Sequence, residues 1–355
     1  MFLATLLLSI LSSCAEVPSP PATQTTPSPV PPASIPTLIP SSTPQSELLP
    51  LPGTEPESSN LTTSTHPSPS VTKPAIVIPT TQVKVIKDVE YGRVGDVALL
   101  LDVYAPQAPI TTPMPVVIWI HGGGFRSGDK YPSTVRTLAS HGFFGLSINY
   151  RLSGEATFPA AIEDAKCAVR WIRANAEKYH VDPERIGVWG ASAGGHLAML
   201  VGTADASAGL EGNGGWERVS SRVQAIVSYW GSSDFVSLVG DGSANAATIS
   251  GSIVFLGGTI EEKPDIYKLA SPVSHVTTDD PPLFMIHGNL DRTIPAEQSE
   301  IMYRSYSQAG LDVTLITVIG ADHGLKQVTD APISPSEEEI NKMVLDFFVK
   351  HLLSK

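Results

Sequence analysis

The chain has 355 residues with 23 Lys and Arg against 35 Asp and Glu, a formal net charge of −12. No basic cluster occurs anywhere along it, which excludes nucleic-acid binding, since that needs a basic stripe. The length accommodates one domain of about 250 residues or more, and with only two cysteines that domain must hold together by its core and not by a disulfide framework.

Residues 1–13 form an apolar run of export-signal length, too short to span a bilayer as a mature helix. Met1-Phe2 lacks the basic residue with which such a segment ordinarily opens. The run ends in Leu11-Ser12-Ser13-Cys14, which resembles the bacterial lipobox. It predicts a signal over 1–14, lipid attachment at Cys14, and a protein outside the cytoplasm, secreted or anchored to the cell surface. The membrane is then a partner only through the anchor. Residues 15–81 hold 17 of the 31 prolines, with Ser and Thr filling much of the rest. Such a composition cannot bury enough apolar surface to offset its ordering entropy, so a disordered, semi-extended tether is expected. The sequon Asn60-Leu61-Thr62 is too short a motif to weigh beside a lipobox that points to a bacterium.

From 82 to 355 short Val/Ile/Leu-rich runs alternate with longer amphipathic segments, the pattern of an α/β domain with a mostly parallel sheet covered by helices on both faces. Eight strands are expected: Val83–Tyr91, Ala98–Tyr104, Val116–Ile120, Phe144–Asn149, Ile186–Trp189, Ala225–Trp230, Leu283–His287 and Thr314–Val318. Helices are expected over Pro159–Lys178, Ser192–Thr203, Ala296–Ala309 and Ser336–Leu352, the last opening with Ser336 and Glu339 at capping-box spacing. Cys167 falls within an apolar helical pattern and reads as a buried, inert thiol. The segments Ala206–Gly215 and Ser232–Thr278 are too long for simple connections and read as a small lid or substrate rim.

The chemistry-bearing residues follow the strands. After Val116–Ile120 comes His121-Gly122-Gly123-Gly124-Phe125, where glycines let backbone amides point at a developing oxyanion. The amides of Gly123, Gly124 and Ala193 are the candidate donors. His121 opens this turn and reads as a brace, not a base. After Ile186–Trp189 comes Gly190-Ala191-Ser192-Ala193-Gly194-Gly195 and then a helix. That strand–turn–helix context presents Ser192 as a nucleophile. Asp291, just past Leu283–His287, is the candidate orienting acid, with Asp234 as runner-up. Asp279 and Asp280 precede that strand and read as solvated loop charges. His323, in the loop after Thr314–Val318, is the candidate base, and its neighbour Asp322 projects away from it. No histidine pair suggests a metal, and no cofactor is invoked. The order oxyanion loop, Ser, Asp, His is that expected of an α/β-hydrolase.

With these residues in hand, about 85–350 resembles the α/β-hydrolase esterases of the hormone-sensitive-lipase-like kind, especially the bacterial group that includes feruloyl esterases. The matching pieces are His121–Phe125, Asn149-Tyr150-Arg151-Leu152, Asp182-Pro183-Glu184-Arg185-Ile186, Gly190–His196, His287-Gly288-Asn289-Leu290-Asp291 and Asp322-His323-Gly324. The resemblance implies metal-free acyl transfer to water through an acyl-enzyme. It assigns Ser192, Asp291 and His323 to a triad and Gly123, Gly124 and Ala193 to the oxyanion hole, with Arg151 and Asp164 as a structural ion pair. Placed outside a cell, such an enzyme suits short-chain or aromatic acyl esters, such as acetyl or feruloyl esters of plant polysaccharides. Two other classes stand beside this one: a serine peptidase or amidase of the same fold, and a non-catalytic binding protein on a hydrolase scaffold.

Overall fold

The computed structural model describes residues 81–107, 111–131, 134–240 and 244–354. The export segment, Cys14 and the tether up to residue 80 lie outside the described residues. All eight expected strands form: β1 Val83–Val94, β2 Val97–Pro106, β3 Met114–Ile120, β4 Phe144–Ile148, β5 Val181–Ala191, β6 Ala225–Tyr229, β7 Leu283–Gly288 and β8 Val313–Val318. They hydrogen-bond in the order β1-β2-β4-β3-β5-β6-β7-β8. β2 runs antiparallel to both β1 and β4, and every later pairing is parallel.

The strands alternate between two cores. Val116, Ile118 and Ile120 face one apolar cluster, and Val117 and Trp119 face the other. That period of two is forced by the pleat, and both faces being apolar means both must be covered. Helices α1 (Val135–Ser140) and α9 (Glu337–Phe348) supply Val135, Leu138, Ile340 and Val344 to the second cluster. The first takes α2 (Ala160–Ala174) and, beyond the short α3 (Ala176–Tyr179), α4 (Ala193–Thr203). Every residue of α4 is buried, as expected of a helix apolar all round.

Two differences from expectation in the connecting segments have physical causes. The helix expected over Pro159–Lys178 breaks between α2 and α3 at Asn175, whose side-chain amide donates to the Trp171 carbonyl at 2.8 Å and so competes with the helical ladder. The rim expected from Ser232–Thr278 does form, as α5 (Phe235–Gly240), α6 (Ala246–Leu256) and α7 (Pro264–Leu269). The other segment, Ala206–Gly215, is no part of a lid. Glu211 instead pairs with the buried Lys166 and Arg170, each at 2.8 Å, and the Gly214 carbonyl accepts from the Arg93 amide. Two buried cations need that carboxylate, which pins the segment onto α2.

The remaining helices are α8 (Glu297–Gln308), packed against β8, and α9. Both sides of the expected capping box are made: the Ser336 hydroxyl accepts from the Glu339 amide and the Glu339 carboxylate from the Ser336 amide. Arg151 and Asp164 meet at 2.8 Å, and Cys167 is buried, its thiol pushed up to about 11 by desolvation. Asp279 is a surface charge, but Asp280 is not. It is buried, accepting from the Thr277 amide and hydroxyl.

Candidate active site

The parallel strands end together, and each delivers one part of the site. In register, Ile120 of β3 lies beside Gly190 of β5, Gly190 beside Ser228 of β6, Tyr229 beside Ile286 of β7, and Gly288 beside Val318 of β8. The loops that follow therefore open at one edge of the sheet, where open α/β sheets gather their ligands.

Ser192 sits between β5 and α4 at φ 56° and ψ −120°, a conformation that L-residues rarely adopt. Its amide donates to the Tyr229 carbonyl at 2.8 Å and its carbonyl accepts from His196 at 2.9 Å, so the strained turn is tied down on both sides. Glycine is required beside it: a Cβ on Gly194 would lie 2.0 Å from the Ile120 carbonyl oxygen. The turn projects the hydroxyl toward His323, with Ser192 Oγ 3.0 Å from Nε2. The opposite ring nitrogen, Nδ1, lies 2.7 Å from Asp291 Oδ2. With the Nδ1 proton donated to the carboxylate, Nε2 is left as an acceptor for the serine hydroxyl.

Asp291 is held from all sides. It is only 9% exposed, and its Oδ1 accepts from the amides of Thr293 and Ile294 at 2.8 and 2.9 Å. His287 approaches Oδ2 at 3.4 Å, though its Nε2 lies nearer to the Ile294 carbonyl, at 2.9 Å. Burial by itself would raise the carboxyl. The neighbouring His287 and His323 and the Ile294 amide outweigh it and hold the group well below the usual carboxylate range. Neither Asp234 nor Asp322 takes this place. The first accepts from the Val236 amide, and the second from the amides of Arg292 and His323.

The glycine loop faces the serine. Gly122 approaches so closely that a Cβ there would be 2.8 Å from the Ala191 carbonyl oxygen. Gly123 and Gly124 take positive φ, at 121° and 59°. His121 is a brace, as expected: it stacks on Tyr150 at 4.4 Å, donates from Nδ1 to the Gly122 carbonyl, and accepts at its own carbonyl from the Tyr150 hydroxyl. Burial pushes its imidazole below the ordinary histidine value. No acceptor occupies the amides of Gly123, Gly124 or Ala193 among the described residues.

A cavity of about 510 Å³ opens on this array, walled by Phe235 and Leu238 of α5, Thr248 and Gly251 of α6, and Ile294. Two of its residues carried no signal in the sequence. Trp230, just past β6, stands at φ 39° with its ring 6.1 Å from that of His323. The second, Arg126, enters from the glycine loop. Among the described residues no group of His, Cys, Asp and Glu could hold a metal ion.

The BD-FAE family model matches residues 101–306. The chain belongs to the BD-FAE family. The matched stretch runs from β2 through the serine turn and Asp291 into α8. This BD-FAE member is 32% identical over 260 residues to esterase LipC of Mycobacterium tuberculosis, covering 70% of this chain and 62% of that protein. It is 33% identical over 221 residues to the probable carboxylic ester hydrolase LipM of the same organism, covering 60% and 49%. The chain thus spans about half to three-fifths of these curated relatives. Among solved structures, a truncated carbohydrate esterase from gut microbiota superposes with TM-score 0.63 at 28% identity, over 78% of this chain and 99% of that one. Esterase 2 of Thermogutta terrifontis with butyrate bound gives 0.61 at 25% identity, over 79% and 98%. The BD-FAE chain has the α/β-hydrolase fold that these esterases share.

Proposed function

We propose that this protein is a carboxylesterase that cleaves small acyl esters through an acyl-enzyme on Ser192. The observation that carries the reading is the continuous hydrogen-bonded array Ser192–His323–Asp291, at 3.0 and 2.7 Å, at the mouth of the cavity. Ser192 Oγ attacks the ester carbonyl while His323 Nε2 takes its proton. Asp291 fixes the ring and stabilises the imidazolium. The carbonyl oxygen becomes an oxyanion that accepts from the amides of Gly123, Gly124 and Ala193, each such donor lowering the barrier by about 3 kcal/mol. His323 then protonates the departing alcohol. Water, deprotonated by the same imidazole, releases the acid and restores the serine.

Cavity size and lining support short or single-ring acyl groups. A volume of about 510 Å³ lies in the lower half of the small-molecule range, roughly 300–1,000 Å³. Phe125, Phe235 and Leu238 offer an apolar wall. The butyrate-bound and propionate-bound Thermogutta terrifontis esterase and the gut carbohydrate esterase favour the same class. Acetyl or feruloyl esters of plant polysaccharides are the proposed natural substrates. The test is hydrolysis of 4-nitrophenyl acetate, butyrate and palmitate, with methyl ferulate and acetylated xylan, by the full chain and its Ser192→Ala variant. Turnover is expected on the short esters and lost in the variant. Equal, negligible rates in both would sink the ester reading and bring amide substrates forward.

A further inference from the structure

The cavity that opens on Ser192 is lined by a cation that no described residue neutralises. Arg126 lines the cavity from a tight turn in which its own amide and that of Ser127 both donate to the Gly123 carbonyl, at 3.1 and 3.2 Å. Its guanidinium lies over α6, where a Cβ on Gly251 would be 3.8 Å from one terminal nitrogen. Among the described residues this guanidinium has no hydrogen-bond or ion-pair partner, and no Asp or Glu among them lines the cavity.

A guanidinium stays charged at every working pH and presents a planar fork of donors that matches a carboxylate. The chain as a whole is acidic, with net charge −12, and so repels anions at long range. An arginine lining the same cavity as the reacting serine supplies the opposite field at the one place where a substrate must dock. We propose that Arg126 is a specificity-determining residue that selects esters bearing a second, ionised carboxyl group, held by the guanidinium while Ser192 meets the ester carbonyl. This rests on the serine-esterase reading and narrows its substrate class. The carboxylate has two sources. It belongs either to the acyl group, as in a dicarboxylic half-ester, or to the alcohol, as in a uronate or a hydroxybenzoate.

Two matched pairs distinguish the sources in the full chain. Mono-4-nitrophenyl glutarate against 4-nitrophenyl butyrate places the charge on the acyl side, and 4-acetoxybenzoate against its methyl ester places it on the alcohol side. In one pair Arg126→Gln lowers the anionic-to-neutral ratio of kcat/KM about 10-fold, as for a partly exposed charge-assisted pair. Arg126→Lys restores part of it, and high salt narrows the wild-type preference. A loss of packing would lower both esters of a pair together and leave the ratio unmoved. An unchanged ratio in both pairs overturns the proposal. Calorimetric binding of glutarate and 4-hydroxybenzoate to Ser192→Ala separates it from the esterase reading. Weaker binding once Arg126→Gln is added supports the carboxylate site even where ester turnover fails, and equal binding removes it.

Discussion

At the scale of single residues, the site combines one strained position with one over-coordinated charge. Ser192 keeps a positive φ, a state that costs roughly 1–3 kcal/mol and persists only where the surroundings over-determine it. Here the Tyr229 carbonyl and the His196 amide do so. Asp291 is the opposite case, a buried carboxylate made more acidic than in the unfolded chain. Because its native titration is depressed below the ordinary value of about 3.9, its stabilisation is fully present above that pH and lost as pH falls through the native titration. Asp291→Asn is therefore less stable than the wild type at neutral pH, and the gap in Tm narrows below about pH 4. Thermal unfolding across that range checks it, and a gap that widens on acidification would contradict the assignment.

Ser192, Asp291 and His323 were legible in the sequence because each follows a strand of unmistakable pattern and each residue type has few other uses in that place. The amides of Thr293 and Ile294 on Asp291, the ring of Trp230 and the charge of Arg126 were not. Their roles depend on where loops from β3, β6 and β7 meet in space, and no local pattern encodes that.

At the scale of elements, the turn between β5 and α4 leaves no room for a side chain. A Cβ on Gly194 would overlap the Ile120 carbonyl oxygen at 2.0 Å, and neither partner is a flexible side chain. Gly194→Ala should destabilise the fold by about 1–3 kcal/mol, as overpacking does, and should lower kcat of the surviving protein by displacing the serine. Denaturant unfolding together with ester turnover reads both effects. A variant with unchanged midpoint and unchanged kcat would show that the β3 loop does not press on the turn. Strands were easy to read because short Val/Ile/Leu-rich runs such as Val116–Ile120, set between Pro115 and His121, stand out from their flanks. α5, α6 and α7 were not: α5 and α7 have only six residues each, and α5 and α6 turn side chains toward the cavity. Ala206–Gly215 misled for a related reason. Its glycines suggested a loose rim, while its one decisive residue, Glu211, is fixed by two cations more than forty residues earlier, Lys166 at 45 and Arg170 at 41 positions.

At the scale of the whole molecule, the acidic catalytic region follows a Pro-rich stretch and a lipobox-like Cys14. We propose that Cys14 is lipidated and holds the enzyme at a cell surface. In a bacterial host, metabolic labelling with a palmitate analogue should mark the full chain and not Cys14→Ala, which should appear in the medium or remain unprocessed. Labelling that survives the substitution would contradict the anchor. Such placement fits an enzyme whose esters are attached to polymers too large to enter a cell, and the Arg126 charge would then favour polymers carrying carboxylates.

All of this chemistry requires Ser192 to be the nucleophile, and stoichiometric reaction with paraoxon measures that most directly. Attack of Ser192 Oγ on phosphorus expels one 4-nitrophenolate per chain and leaves a diethylphosphoryl group on the peptide that contains Ser192. The expected result is one equivalent of 4-nitrophenolate, a mass increase confined to that peptide, and loss of both in Ser192→Ala. A phosphorylated residue elsewhere, or undiminished release by the variant, would contradict it.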